Sequence, residues 1–150
     1  KYANNKRVSR FNQRIPYPYT REHANKFIKK SLREHKKKRP KAIRFAIEYQ
    51  GETIGVFSIK EIEHGHRAEI GYWIGEPFWG RGITTEAVKK VVAFGFKEFS
   101  LRRIRAGVFK SNIASQRVLE KAGFQKEGLQ RKNAKKGNKF YDTWLYAKVR

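Results

Sequence analysis

The chain has 150 residues and a formal net charge of +23, with 36 Lys and Arg against 13 Asp and Glu. That length suits one domain with a real hydrophobic core, and the absence of cysteine excludes disulfides, thiolate metal sites and a cysteine nucleophile. No apolar run is long enough to span a bilayer, and the charge favours anionic partners: nucleic acid, a ribosome surface, a membrane surface or a phosphorylated cofactor.

The absence of cysteine fits a reducing, cytoplasmic setting. The chain opens on Lys1 and contains no Met, so an N-terminally incomplete domain is expected. Residues Tyr2 to Asn12 read as the tail of a helix, and Ile15-Pro16-Tyr17-Pro18-Tyr19 as a loop, since each proline disfavours helix at the residue before it. Thr20 is placed to cap a helix that runs to about Lys37. Its Ala24, Phe27, Ile28 and Leu32 recur at helical spacing and predict a buried stripe. The basic run Lys36-Lys37-Lys38-Arg39 reads as the solvated end of that helix.

Three strands follow. Ile43, Phe45 and Ile47 alternate in the first, and Gln50-Gly51 reads as a turn. Ile54 to Glu61 and Glu69 to Gly75 complete an antiparallel meander. The period then changes to a helical one from Thr84 to about Lys97, through Ala87, Val88, Val91, Val92 and Phe96. Arg103 to Phe109 returns to strand. Asn112 caps a short helix that Gly123 is placed to end. Phe124 to Leu129 and Phe140 to Val149 form a final hairpin around Gly137-Asn138. The predicted fold is α+β, a sheet flanked by helices.

Gly80 and Gly82 lie between a strand and an amphipathic helix. A helix start offers unpaired N–H groups and the positive end of the dipole, which together attract anions. Arg81 adds a cation, and Thr84 and Thr85 add hydroxyl donors. Gly80 to Thr85 therefore reads as a pyrophosphate cradle, with a plain strand–loop–helix connection as the rival. The loop lacks the Lys-Ser/Thr of a nucleotide P-loop and the three spaced glycines of a dinucleotide site. His23, His35, His64 and His66 form no metal-ligand constellation, and no metal is expected.

Three blocks in order give a sharper reading. The first joins Ala68-Glu69-Ile70-Gly71-Tyr72-Trp73-Ile74 to Trp79-Gly80-Arg81-Gly82-Ile83-Thr84-Thr85-Glu86-Ala87. The second is Asn112 to Phe124 with Glu127-Gly128, and the third is Tyr141-Asp142-Thr143-Trp144-Leu145-Tyr146. With these, nearly the whole chain resembles the GNAT superfamily of acyl-CoA N-acetyltransferases. Within it, the sequence is most similar to the RimJ/RimL-like branch, which acetylates ribosomal-protein N-termini. The loop departs from the superfamily's general signature, because only Gly82 occupies its orthodox place. The resemblance implies a mostly antiparallel central sheet whose first strand is missing from this chain.

The resemblance also implies roles. Glu69 stands where family members often carry a general base, with a structural carboxylate paired to a basic neighbour as the rival reading. Leu119, expected to touch the cofactor, stands where many carry the tyrosine that protonates the CoA thiolate, and Ser115 takes that role in this branch. Asn112 is expected to cap its helix and to bond the pantetheine arm. That arm should lie against Tyr72, Trp73 and Ile74, with a backbone N–H near Trp73 donating to the thioester oxygen. Trp79, Gly80, Arg81, Gly82, Ile83, Thr84 and Thr85 should hold the pyrophosphate of acetyl-CoA, with Trp79 equally readable as a core aromatic. Tyr17, Tyr19 and Tyr141 should border the acceptor. The acceptor is expected to be a protein N-terminal amine, with ribosome association. A small-molecule amine and a non-catalytic RNA-binding role are the alternatives. A monomer or homodimer is expected.

Overall fold

The computed structural model describes residues 1–150. Its elements are α1 (Lys6–Arg10), α2 (Arg21–His35), β1 (Ala42–Tyr49), β2 (Glu52–Glu63), β3 (Arg67–Ile74), α3 (Ile83–Glu98), β4 (Arg103–Phe109), α4 (Ile113–Lys121), β5 (Gln125–Lys136) and β6 (Lys139–Val149), with a 3-10 turn at Glu76–Phe78 between β3 and α3. The six strands form one sheet in the order β1-β2-β3-β4-β6-β5. Every neighbouring pair is antiparallel except β3 and β4. That exception follows from α3, the crossover that returns the chain to run parallel.

The two faces of the sheet differ in chemistry. Ile43, Phe45 and Ile47 of β1 stand in register with Ile59, Phe57 and Gly55 of β2, and these with Ile70, Tyr72 and Ile74 of β3. This face joins Val88, Val92 and Phe96 of α3 and Leu119 of α4 in one core cluster. Gly95 lets α3 approach closely, because a Cβ there would lie 3.2 Å from Ile59 Cδ1 and 3.3 Å from Ile104 Cδ1. On the opposite face a row of residues directly across from one another runs Ala42, Lys60, Glu69, Arg105. α2 lies over the β1 end of this charged face, where the Phe27 ring meets the Arg44 guanidinium at 5.4 Å.

Three expectations are corrected. Residues Tyr2 to Asn12 are not the tail of a longer helix: α1 starts afresh, with Asn5 Oδ1 accepting from Arg7 N and Val8 N. The α2 stripe is not buried, because the helix turns Ala24, Phe27, Ser31 and Glu34 inward and leaves Ile28 and Leu32 more than half exposed. The last hairpin is longer than its apolar pattern predicts: β5 runs on through Lys136, bulging between Gln130 and Ala134.

Candidate active site

β3 and β4 pair over only three positions, Arg67–Arg103, Ala68–Ile104 and Glu69–Arg105. Beyond them β3 continues beside β2 alone and β4 beside β6 alone. The sheet therefore splays open from Glu69 onward. The two strands that border the gap lead into α3 and α4.

α3 starts at this opening. Its N-cap is Gly82, at φ 78, and no side chain caps it. Gly80 also has a positive φ, 75, and a Cβ on either glycine would meet nothing within 4 Å. The glycines thus serve a left-handed backbone with open space above it. A helix start without a capping side chain leaves the amides of Ile83, Thr84 and Thr85 as donors, with the dipole's positive end behind them. The Arg81 guanidinium is 5.7 Å from the Phe78 ring. These features suit an anion with several acceptor oxygens, and so fit a pyrophosphate.

The loop before α3 is braced. Trp79 is neither core nor free: it is 37% exposed, and its indole N–H donates to the Ile74 carbonyl at 2.9 Å. Asn5 Nδ2 donates to Glu76 Oε2 at 2.8 Å, and Arg7 forms an ion pair with Glu76. The Tyr2 ring packs onto Gly75 so closely that a Cβ there would clash with it. Glu76 and this N-terminal brace were missed by sequence reasoning. The partners are about 70 residues apart in the chain, so no local pattern reveals them.

The edge of β3 that faces the gap can be read from its hydrogen bonds. Gly75 N–H donates to Ile54 O at 2.8 Å, one position beyond the Gly55–Ile74 pair. Antiparallel alternation then makes Trp73–Val56 a hydrogen-bonded pair. The Trp73 carbonyl indeed lies close enough to Gly55 to forbid any Cβ there. Trp73's own amide is therefore committed to β2. The amides of Tyr72 and Ile74 point toward the gap, as the Ile74 carbonyl already does in meeting Trp79.

On the core side of the gap, Tyr72 Oη and Ser115 Oγ lie 2.9 Å apart, and either can donate. Burial pushes the Tyr72 phenol up to about 12, against a smaller lowering by Ser115. Its ring stacks on Phe57 with centroids 5.4 Å apart. Asn112 caps α4, its Oδ1 accepting from Ser115 N at 3.1 Å. This leaves the Asn112 amide N–H groups uncommitted and fixes Ser115 in the first turn. Leu119 is 0% exposed. It fills the core beneath α4 and offers no surface to a cofactor.

Glu69 lies on the other face. Lys60 Nζ is 2.5 Å from its Oε1, and Arg105 Nε is 3.2 Å from its Oε2. Tyr17 and Tyr141 border one cleft of about 480 Å³ with Arg14, Ile15 and Lys136. Tyr19 does not join them; it sits against His23, with ring centroids 5.6 Å apart, and its N–H donates to Asn4 Oδ1. The cleft is held by Lys136, whose ammonium donates to the carbonyls of Ser9, Asn12 and Ile15 at 2.6, 2.6 and 2.9 Å.

Comparison with known proteins gives the family. The family model for the Acetyltransferase (GNAT) domain matches residues 1–125. The Bacillus subtilis protein named Probable N-acetyltransferase YjcK is 51% identical over 84 residues, covering 55% of this chain and 46% of that protein. The Ribosomal-protein-serine acetyltransferase of Escherichia coli is 32% identical over 106 residues, covering 70% of this chain and 59% of its own. The chain thus spans about half the length of these curated relatives. The crystal structure of Microcin C7 self immunity acetyltransferase MccE, in complex with acetyl-CoA and AMP, superposes with a TM-score of 0.88 at 26% identity, covering 97% of this chain and 81% of that one. The chain belongs to the GNAT acetyltransferase family, and its relatives place it with the RimJ/RimL-like branch.

Proposed function

We propose that this protein transfers an acetyl group from acetyl-CoA to the α-amine of a protein N-terminus, of the ribosomal-protein kind. The observation that carries the donor half of the reading is the uncapped start of α3, set at the point where β3 and β4 part; the acceptor half rests on the likeness to ribosomal-protein acetyltransferases. When bound, acetyl-CoA supplies the thioester whose acetyl group moves to the amine. The amides of Ile83, Thr84 and Thr85 hold the pyrophosphate, with Arg81 adding charge. The gap-facing amides of Tyr72 and Ile74 bond the pantetheine arm, and one of them polarises the thioester carbonyl. The uncommitted amide of Asn112 adds a donor to the same arm.

Ser115 serves as the acid that delivers a proton to the departing sulfur, with the Tyr72 hydroxyl behind it. A phenol kept protonated to high pH suits that supporting role. Glu69 serves as the base that takes the amine proton, directly or through water. The two cations on its oxygens favour a second reading, in which Glu69 ties β2 to β4 and solvent takes the proton. The cleft between Tyr17 and Tyr141 receives the chain that carries the amine. The charge of +23 opposes polyamine acceptors and supports work beside the anionic ribosome, in the cytoplasm. No helix is long and apolar enough to cross a membrane.

The test is incubation with acetyl-CoA and a panel of N-terminal peptides, polyamines and other small amines, following free thiol. Thiol release with peptides and not with polyamines is expected. Turnover confined to small amines contradicts the proposed acceptor, and no CoA affinity by calorimetry contradicts the enzyme. Normal turnover in Glu69→Gln removes Glu69 as the base.

A further inference from the structure

We propose that a basic pocket between α2 and the β1–β2 ladder binds a carboxylate of the acceptor, so that the preferred acceptor is an acidic peptide. This inference rests on the reading that the acceptor is a peptide amine, and it narrows that class.

The pocket has a volume of about 230 Å³ and is lined by six cations, Arg14, Lys30, Lys37, Lys41, Arg44 and Lys60. Its two carboxylates are already engaged. Glu34 pairs with Lys37 at 2.5 Å and accepts from Lys41 N at 2.8 Å. Glu61 pairs with Arg105 at 2.7 Å. The side chains of Arg14, Lys30, Lys41 and Arg44 have no acidic partner within salt-bridge distance. Arg44 Nη1 is buried with no hydrogen-bond partner in the protein. A buried guanidinium N–H without an acceptor is rare and costly. Four unpaired cations in one small pocket repel one another unless an anion joins them.

Position ties the pocket to the reaction. Lys60 lines it and also holds Glu69 at 2.5 Å. Arg44 and Lys60 lie on the same face of the sheet as Glu69, two strands and one strand away by register. Arg14 is shared with the cleft that Tyr17 and Tyr141 border. A peptide whose amine reaches Glu69 from that cleft would bring an acidic side chain near its N-terminus within reach of these cations. Planar, forked donors such as the Arg44 guanidinium suit a carboxylate.

The experiment uses the full chain with CoA bound and two fluorescent peptides that differ only by Asp→Asn at their second and third residues. Anisotropy is expected to give about tenfold tighter binding of the Asp peptide. The double variant Lys30→Gln/Lys41→Gln should bring that ratio close to one. Lys36→Gln/Lys38→Gln removes the same charge from exposed residues that do not line the pocket, and should preserve the ratio. Equal binding of the two peptides overturns the proposal, as does an equal loss of the ratio in both double variants. Binding of inorganic phosphate without any preference for Asp over Asn also overturns it. In a parallel assay with acetyl-CoA in place of CoA, selective binding of the Asp peptide without acetylation supports the pocket and contradicts the acetyltransferase reading. Acetylation of both peptides with equal kcat/KM does the reverse.

Discussion

The starts of α3 and α4 lie on either side of the same gap and are finished in opposite ways. α4 is closed by its own sequence, with Asn112 taking the Ser115 amide. α2, far from the gap, is closed likewise by Thr20 and His23 in a reciprocal capping box. α3 alone among these three long helices has a glycine at its cap and no side-chain acceptor. A glycine cap costs only a few tenths of a kcal/mol against Ser, Thr, Asn or Asp, so α3 keeps its first amides open at little expense in stability. The lesson is that a candidate cofactor loop is marked less by its glycines than by the missing cap, because an uncapped start leaves its donors for a ligand.

The comparison can be broken most severely at Gly82. Gly82→Val places a β-branched residue at φ 78 and puts methyl groups into the open space above the helix start. CoA affinity by calorimetry is expected to fall about 100-fold, since such strain costs on the order of 1–3 kcal/mol before any steric loss. Unchanged affinity would mean that the cradle lies elsewhere.

Ser115→Ala is expected to lower kcat about tenfold, water replacing the acid only in part. Turnover at wild-type rate would remove Ser115 from the chemistry. Closing and opening α4 gives the converse of the Gly82 change. Asn112→Ala should cost about 1 kcal/mol of stability in denaturant unfolding, and Asn112→Asp should restore most of it because the acceptor oxygen is kept.

The smallest effect concerns pH. The Tyr72 phenol is raised from its ordinary 10 to about 12 in the folded protein. Above pH 10 the unfolded chain releases this proton while the folded chain keeps it. The folded state then holds more protons, and stability falls as pH rises toward 12. Tyr72→Phe should remove this component, reducing the alkaline loss of stability at pH 11 by about 1 kcal/mol relative to wild type. An identical alkaline limb in the variant would mean that Tyr72 is not buried as described.

Much of this comparison was legible before the structure. Asn112 with Ser115 three residues later is a local signal, as is Gly123 at φ 85 ending α4. Period-two alternation located β1 to β4, because each has one face in the core. Legibility failed where the pattern was not set by burial. β5 continues through Gln130 to Lys136, whose polar residues carry no alternation, because β6 holds them by backbone pairing. The α2 stripe misled because its outer apolar residues, Ile28 and Leu32, sit four residues apart as core residues would. In the candidate site, glycines beside a helix start suggest the loop, and the role of Ser115 comes from the family resemblance alone. The Tyr72–Ser115 contact was not legible, since it spans 43 residues and depends on where α4 docks. A basic partner for Glu69 is expected from the sequence, but not which ones, because Lys60 and Arg105 come from two other strands. A backbone N–H near Trp73 is expected as the donor, and strand parity narrows the choice, turning the Trp73 amide to β2 and those of Tyr72 and Ile74 to the gap.

The central claim is that the open start of α3 holds the cofactor. Backbone amide NMR during a CoA titration tests it most directly. The largest shifts are expected at Ile83, Thr84 and Thr85, followed by Tyr72 and Ile74, with the capped start of α2 unmoved. Saturable CoA binding that leaves Ile83, Thr84 and Thr85 unshifted would contradict the account.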